Sequence, residues 1–230
     1  MLEKLRYPYS TGCLTERPFR SIFLIIKIIF ADLLKFKINY KVVIKNSKFN
    51  YNYKPYKKSG LGGRGQYILR EYYDKFFFIG QDVLPSKFNF IDVGCSRGFF
   101  SLYLLGLQNF KGKGLCIDPL SKAIQDFKEI LKLNKKTKIN FINGIISNKN
   151  KLKIPIYKVS QQGYFSIIKD VSFADKLPKE KKPESFFVRS YTIDDLVNKK
   201  RIIQNVKFIK IDAEGAEYEI LCSSEKTIKK

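Results

Sequence analysis

The chain has 230 residues, 44% of them hydrophobic, four cysteines, no histidine and a formal net charge of +23. That is enough apolar material for one α/β domain with an extension, and too much for a disordered chain. The absence of histidine excludes Ser-His-Asp and Cys-His nucleophile systems and most zinc catalysis, so any general base is a carboxylate, a lysine, a tyrosine or water.

Residues 1–60 carry 13 Lys/Arg against 3 Asp/Glu, about twice the charge density of the remainder. Such a surface attracts polyanions, whether nucleic acid, anionic lipid or acidic glycan; the same Lys/Asn/Ile/Phe/Tyr bias also arises from an AT-rich genome. Residues 1–21 read as irregular around Pro8 and Pro18, with no secretory signal. An apolar helix is expected over Ile22–Phe36. Lys27, Asp32 and Lys35 interrupt it, whereas a bilayer span needs ~20 apolar residues. Packing on the domain is the expectation for this helix. Peripheral membrane contact, with Arg17, Arg20 and Lys37 at the flanks, is the alternative. Tyr40–Ile44 alternates like a strand and gives way to a Lys/Asn/Tyr-rich run to Lys58. Gly60, Gly62, Gly63 and Gly65 mark a hinge, which divides a basic extension (1–65) from a domain (66–230). No Lys-Ser/Thr follows these glycines, so they do not make a phosphate loop.

Within the domain, Gln66–Phe78 reads as a helix, and from Phe88 onward strands and helices alternate. Phe90, Ile91 and Val93 form a short apolar strand ending at Gly94. Gly98 follows four residues later, and Phe99, Leu102 and Leu105 have helical spacing. Gly114–Asp118 is the second strand, Ser121 a helix cap, and the helix runs to about Leu133. Ile139–Asn143 is the third strand. Shorter strands are expected at Ile154–Val159, Tyr164–Ile168 and Phe186–Tyr191, with an exposed charged loop at Lys176–Glu184. Thr192 caps a helix ahead of Asp195, Val206–Asp212 is a core strand, and Gly215–Leu221 opens the last helix. Alternation at this interval implies parallel strands joined by right-handed crossovers. The cysteines (Cys13, Cys95, Cys116 and Cys222) have no Cys-x-x-Cys pair, which argues for reduced thiols in a cytoplasmic setting.

Three strand ends carry the chemistry. The first reads Asp92-x-Gly94-x-x-x-Gly98, not the Gly-x-Gly-x-x-Gly that cradles a pyrophosphate. A glycine-opened turn without a phosphate cradle points to S-adenosylmethionine, with Asp92 placed to meet a cationic or hydroxyl-bearing ligand. Asp118 ends the second strand, where nucleoside-binding α/β folds place an acidic acceptor for ribose hydroxyls. Asn143 and Gly144 fall near the adenine by the same logic. Asp212, Glu214 and Glu217 form the third group, at the end of a strand and the start of a helix. Acidic residues are favourable at a helix N-terminus by ~0.3–1 kcal/mol. That accounts for the glutamates but not for Asp212, which ends a buried strand.

These motifs, taken together, resemble the FkbM-type methyltransferase family. The carriers are Ile-Asp-Val-Gly-Cys-Ser-Arg-Gly at 91–98, Cys-Ile-Asp-Pro at 116–119, Ile-Ile-Ser-Asn at 145–148, Thr-Ile-Asp-Asp-Leu at 192–196 and Lys-Ile-Asp-Ala-Glu-Gly-Ala-Glu at 210–217. They occur in the family's order over roughly residues 66–225, and the last is the most specific. The resemblance implies a Rossmann-like class I methyltransferase fold with a mostly parallel sheet. It implies S-adenosylmethionine as cofactor, with Asp92, Gly94 and Gly98 on its methionine part, Asp118 on its ribose, and Ser96 also among the cofactor-binding residues. Asp212 and its glutamates would face the acceptor, a hydroxyl of a sugar, glycan or related small molecule.

The chain departs from the family in having Cys95-Ser96 for Ala-Asn and Asp118 for Glu. Relatives also continue beyond the last helix with further strands, whereas this chain reaches Lys230 thirteen residues after Glu217. It therefore reads as C-terminally truncated, with the strand ending at Asp212 as an unpaired edge. The expected chemistry is in-line attack of an alcohol on the sulfonium methyl, with Asp212 as first candidate base and Glu214 as second. No metal site is assigned, because three acidic residues alone do not define one. An RNA substrate is the disfavoured alternative, since Asp-Ala-Glu-Gly is not a motif that grips a flipped base. An inactive cofactor-binding fragment is the other. The expected location is cytoplasmic, with membrane association through 22–36 as the alternative.

Overall fold

The computed structural model of the chain describes residues 18–44, 47–53, 87–107, 110–136, 138–150, 153–158, 165–167, 185–199 and 201–229. The hinge glycines, the helix expected over 66–78 and the charged loop at 176–184 lie outside them. Contacts divide the chain into two compact units, Met1–Pro85 with Leu102–Gln108, and Ser86–Ser101 with Asn109–Lys230.

In the first unit, helix α1 spans Pro18–Leu34. Pro18 occupies its first position, where a missing N–H removes no helical bond. Strands β1 (Ile38–Ile44) and β2 (Ser47–Tyr53) form an antiparallel hairpin in a register from Ile38↔Tyr53 to Ile44↔Ser47. The second strand falls in the Lys/Asn/Tyr-rich run, where asparagine disguises it because Asn is depleted in strands. Its two-residue period is nevertheless plain: Ser47, Phe49 and Tyr51 are buried, while Lys48 and Asn50 are exposed. Lys48 N donates to the Gly106 carbonyl at 3.0 Å, and Ser47 Oγ to the Tyr103 carbonyl at 2.6 Å. On helix α1 Ala31 is buried, while one apolar stripe is exposed. Phe19, Ile22, Phe23, Ile26, Phe30, Leu33 and Leu34 are all exposed.

The second unit is built on a four-stranded sheet. Strand β3 (Asn89–Val93) leads through the glycine turn into helix α2 (Phe99–Leu105), whose residues from Leu102 onward are counted with the first unit. Strand β4 (Gly114–Asp118), helix α3 (Ser121–Leu133) and strand β5 (Ile139–Asn143) follow with the expected bounds. Ser121 is not the cap of α3; it is the first helical residue, and the cap position is Leu120 with no side-chain bond. The chain continues through β6 (Ile145–Ile146), β7 (Ile154–Lys158), β8 (Phe165–Ser166), β9 (Ser185–Val188) and β10 (Ser190–Tyr191). The strand expected over Phe186–Tyr191 is therefore two. Its first half pairs antiparallel with β7, which also pairs with β8, and its second half pairs parallel with β6. A π-helical segment (Asp195–Lys199) comes next, and Thr192 Oγ1 accepts from Asp195 N at 3.1 Å as a helix cap should. Strand β11 (Val206–Ile211) and the short helices α4 (Glu217–Cys222) and α5 (Glu225–Ile228) complete the unit.

The sheet order is β11-β3-β4-β5, with every pair parallel. The unit is thus a Rossmann-like α/β fold with a parallel sheet. Among the described residues β11 is an edge strand. Alternation sorts the strands onto two faces. Ile91, Val93, Leu115, Ile117 and Ile142 face a core closed by Ile193, Leu196, Ile203 and Ile220. The other face carries Asp92, Cys116 and Phe141; Phe127 of α3 meets Phe141 edge-on at 5.3 Å. After β3 the chain winds outward to β4 and β5, then returns to β11 on the opposite side of β3. That reversal is a topological switch point, and in open α/β sheets the crevice beside it, at the carboxyl ends of the strands, is where ligands bind.

Candidate active site

The parallel register places Lys210 of β11 beside Asp92 of β3, one residue before the turn. Asp92 is fully buried. Its Oδ2 accepts from Ser101 Oγ at 2.7 Å, and its Oδ1 lies 3.2 Å from Lys210 Nζ. The same ammonium donates to the Gly94 carbonyl at 3.0 Å and reaches Asp212 Oδ2 at 3.4 Å. One lysine thus ties the end of β3, the turn and the carboxylate after β11. Burial works against its charged form, but Asp92 and Asp212 outweigh it and hold its pKa above the ordinary lysine value. Lys210 is the residue that sequence reading leaves without a role. The available signal is a lysine set in an apolar run (Phe208, Ile209 and Ile211), on the face opposite Ile209 and Ile211.

The pairing alters what Asp92 can do. Sequence reading offers its carboxylate to a ligand, whereas both oxygens are engaged inside the protein. Its contribution is to anchor the strand end. The two turn glycines likewise have packing reasons of their own. Gly94 has φ +71°, and a Cβ there would lie 1.8 Å from the Asp212 carbonyl oxygen. Gly98 has φ +73°, and its Cβ would fall 2.1 Å from the Phe127 ring. At these two glycines the bare backbone packs against the residue that follows β11 and against the Phe127 ring of α3.

Asp118 closes the other side. It is 5% exposed, and its Oδ2 accepts from Ser96 N at 2.8 Å while Oδ1 accepts from Leu120 N at 2.8 Å. The first bond crosses from β4 to the glycine turn and holds Ser96 at φ +47°, a left-handed conformation. Burial pushes the Asp118 pKa up to about 6, against the two N–H donors; Asp92 adds to the rise and Lys210 opposes it. Asn143 Nδ2 donates to the Asp118 and Pro119 carbonyls at 3.0 and 2.9 Å, and Gly144 N donates to the Asp118 carbonyl at 3.0 Å. A Cβ on Gly144 would press on the Arg189 carbonyl at 2.5 Å. Asn143 and Gly144 therefore knit β5 to the end of β4. Buried thiols complete the floor: Ser101 Oγ lies 3.1 Å from Cys116 Sγ, and burial raises the Cys95 thiol well above its usual value.

The third group sits beside the turn, since Asp212 N donates to the Val93 carbonyl at 3.1 Å. Asp212 is 64% exposed at its side chain. Glu214, at φ +50°, is half-buried, and its pKa is raised by burial and by the negative charges of Asp212 and Glu217. Glu217 is bonded to the backbone of its own loop. Its Oε1 accepts from Ala213 N and Gly215 N, both at 3.2 Å, and so shapes the loop before α4. Among the described residues, no group of three Cys, Asp or Glu side chains is arranged to hold a metal ion.

The fit to S-adenosylmethionine rests on Asp118. Each carboxylate oxygen has a second lone pair beyond the one given to the backbone, so it can still accept from a ribose diol. One of its two donors, Ser96 N, belongs to the glycine turn, so a bound nucleoside and the Ser96 conformation share one anchor.

The sequence model of the methyltransferase FkbM domain matches residues 92–230. Among solved structures, the methyltransferase FkbM of Methylobacillus flagellatus KT, determined at 2.20 Å, aligns with a TM-score of 0.43 and 16% identity. The alignment covers 91% of this chain and 45% of that one, so the present chain spans under half its length. No curated protein matches the chain in sequence.

Proposed function

The chain belongs to the FkbM methyltransferase family, and from that premise we propose that it moves a methyl group from S-adenosylmethionine to a hydroxyl oxygen of a sugar, glycan or related small molecule. The observation that carries this reading is the meeting of Asp118, the Gly94–Gly98 turn and the Asp212–Glu214 pair at the carboxyl edge of β4, β3 and β11.

In this reading Asp118 accepts hydrogen bonds from the ribose hydroxyls, and the backbone of the Gly94–Gly98 turn lines the methionine portion. Asn143 and Gly144 border the adenine. When bound, the cofactor supplies a methyl group on a sulfonium, which an aligned nucleophile displaces in line. The protein's part is to hold the acceptor hydroxyl, exclude water and take its proton. Asp212 and Glu214 face that hydroxyl. Glu214 is the base, because its raised proton affinity brings it closer to working pH, while Lys210 orients Asp212. Asp92 acts through Lys210 and the turn.

Calorimetric titration of the full chain with S-adenosylmethionine, together with S-adenosylhomocysteine release over a panel of sugars and glycans, tests the proposal. Binding and turnover are expected. Asp118→Ala should weaken binding at least about tenfold, the loss of hydrogen bonds to a charged acceptor. Glu214→Gln should lower turnover roughly 10²–10⁴-fold with little effect on binding, whereas Glu217→Gln, which keeps an acceptor oxygen for the loop, should retain activity. Folded protein that gives no heat with the cofactor, with Asp118→Ala indistinguishable from wild type, would overturn it.

A further inference from the structure

The site above leaves unexplained the apolar face of α1. Phe19, Ile22, Phe23, Ile26, Phe30, Leu33 and Leu34 recur at three- and four-residue intervals, and so line one stripe of the helix. Every one is exposed, from 45% at Ile26 to 89% at Phe19. A stripe of seven large apolar side chains is more than the scattered surface hydrophobics that need no account. Among the described side chains the charges beside it are lysines; Asp32 is the one acidic residue in the helix sequence. Lys27 lies over the Phe23 ring at 4.6 Å, and Lys35 and Lys37 are exposed where the helix gives way to β1. There the surface folds into a groove of about 470 Å³, lined by Ile26, Phe30, Phe36 and Ile38 together with Lys27 and Lys37. Apolar walls with ammonium groups beside them suit an anionic amphiphile.

We propose that α1 is a membrane-surface anchor, lying in the interface of an anionic lipid bilayer with its apolar stripe in the acyl boundary and Lys27, Lys35 and Lys37 at the headgroups. A helix of 17 residues is about 25 Å long, short of the ~30 Å hydrocarbon core. No helix among the described residues is long and apolar enough to cross a membrane. The helix therefore lies along the surface. A second copy of the chain is a poorer occupant, because a two-fold interface sets a patch against itself and would face these lysines with the same lysines. The anchor does not depend on the methyl-transfer reading.

The test is flotation of the full chain with vesicles of phosphatidylcholine alone or with about 30% phosphatidylglycerol, an anionic surface that attracts basic segments. The chain should float with the anionic vesicles and far less with the neutral ones, and added salt should reduce it. Phe30→Asp, at an exposed position, with folding checked by circular dichroism, should weaken binding at least about tenfold. Replacing Lys27, Lys35 and Lys37 by Gln should cost roughly a hundredfold on anionic vesicles. The chain contains no tryptophan, so Phe23→Trp gives a single reporter, whose emission should shift to the blue when anionic vesicles are added. Three results would each overturn the proposal. Wild-type chain, folded by circular dichroism, stays unbound; Phe30→Asp floats like wild type; or sedimentation shows a dimer that Phe30→Asp splits while neither form binds vesicles.

Discussion

Lys210→Met removes the ammonium that joins Asp92, Gly94 and Asp212 and keeps most of the side-chain volume. Asp92 is fully buried, and it would retain only the Ser101 hydroxyl as donor. Removing one partner of a buried ion pair costs about 3–5 kcal/mol, because the other charge is left uncompensated. That is a large share of a typical folding stability of about 5–15 kcal/mol. For a chain of this size it corresponds to a fall in Tm of roughly 10 °C. Asp92→Asn should cost less, since Lys210 keeps Asp212 and the Gly94 carbonyl as partners. The double variant has no buried charge to strand. It should therefore be more stable than the sum of the single losses by about 1–3 kcal/mol. Urea denaturation at pH 7, followed by far-UV circular dichroism on all four proteins, measures the cycle. Strictly additive single losses, or a Lys210→Met variant within about 1 kcal/mol of wild type, would refute the reasoning, since a buried pair must couple.

Asp118 has a folded-state pKa of about 6 against an ordinary 3.8. A raised carboxyl contributes stability that is present below about pH 4 and lost as pH rises through about 6, to the extent of about 3 kcal/mol. The stability difference between wild type and Asp118→Asn should therefore move in favour of wild type between pH 7 and pH 4. Cofactor affinity should move the opposite way, falling as Asp118 takes its proton; parallel pH profiles for wild type and Asp118→Asn in thermal melts and calorimetry would count against this assignment. Gly94→Ala forces a Cβ against the Asp212 carbonyl at 1.8 Å in a left-handed conformation. It should destabilise the fold by more than about 1 kcal/mol and shift the loop carrying Asp212, seen as a lower urea midpoint with weaker cofactor binding. An unchanged midpoint would mean that β11 does not press on the turn.

The parallel elements β3, β4, α3 and β5 are legible because their apolar periodicity is local and their ends are marked by Gly94, Asp118 and Asn143. The second hairpin strand is hidden by its asparagines, although the burial of Phe49 and Tyr51 follows a strict alternation. The segment 186–191 fails differently. Its residues favour a strand throughout, and nothing local tells the chain to leave β7 at Arg189 and pair with β6. Lys210 is the most instructive case. A charge inside an apolar run reads as a solvent-facing position until the neighbouring strand is known, and that neighbour is supplied by residues 89–93, far back in the sequence. The topological switch makes the two strands adjacent and turns an apparently misplaced lysine into the counter-charge of a buried aspartate. The carboxylates at strand ends declare themselves singly, as Asp92, Asp118 and Asp212. The cation that orders two of them emerges only from the register, so the site's electrostatics is a property of strand order, which no single motif contains.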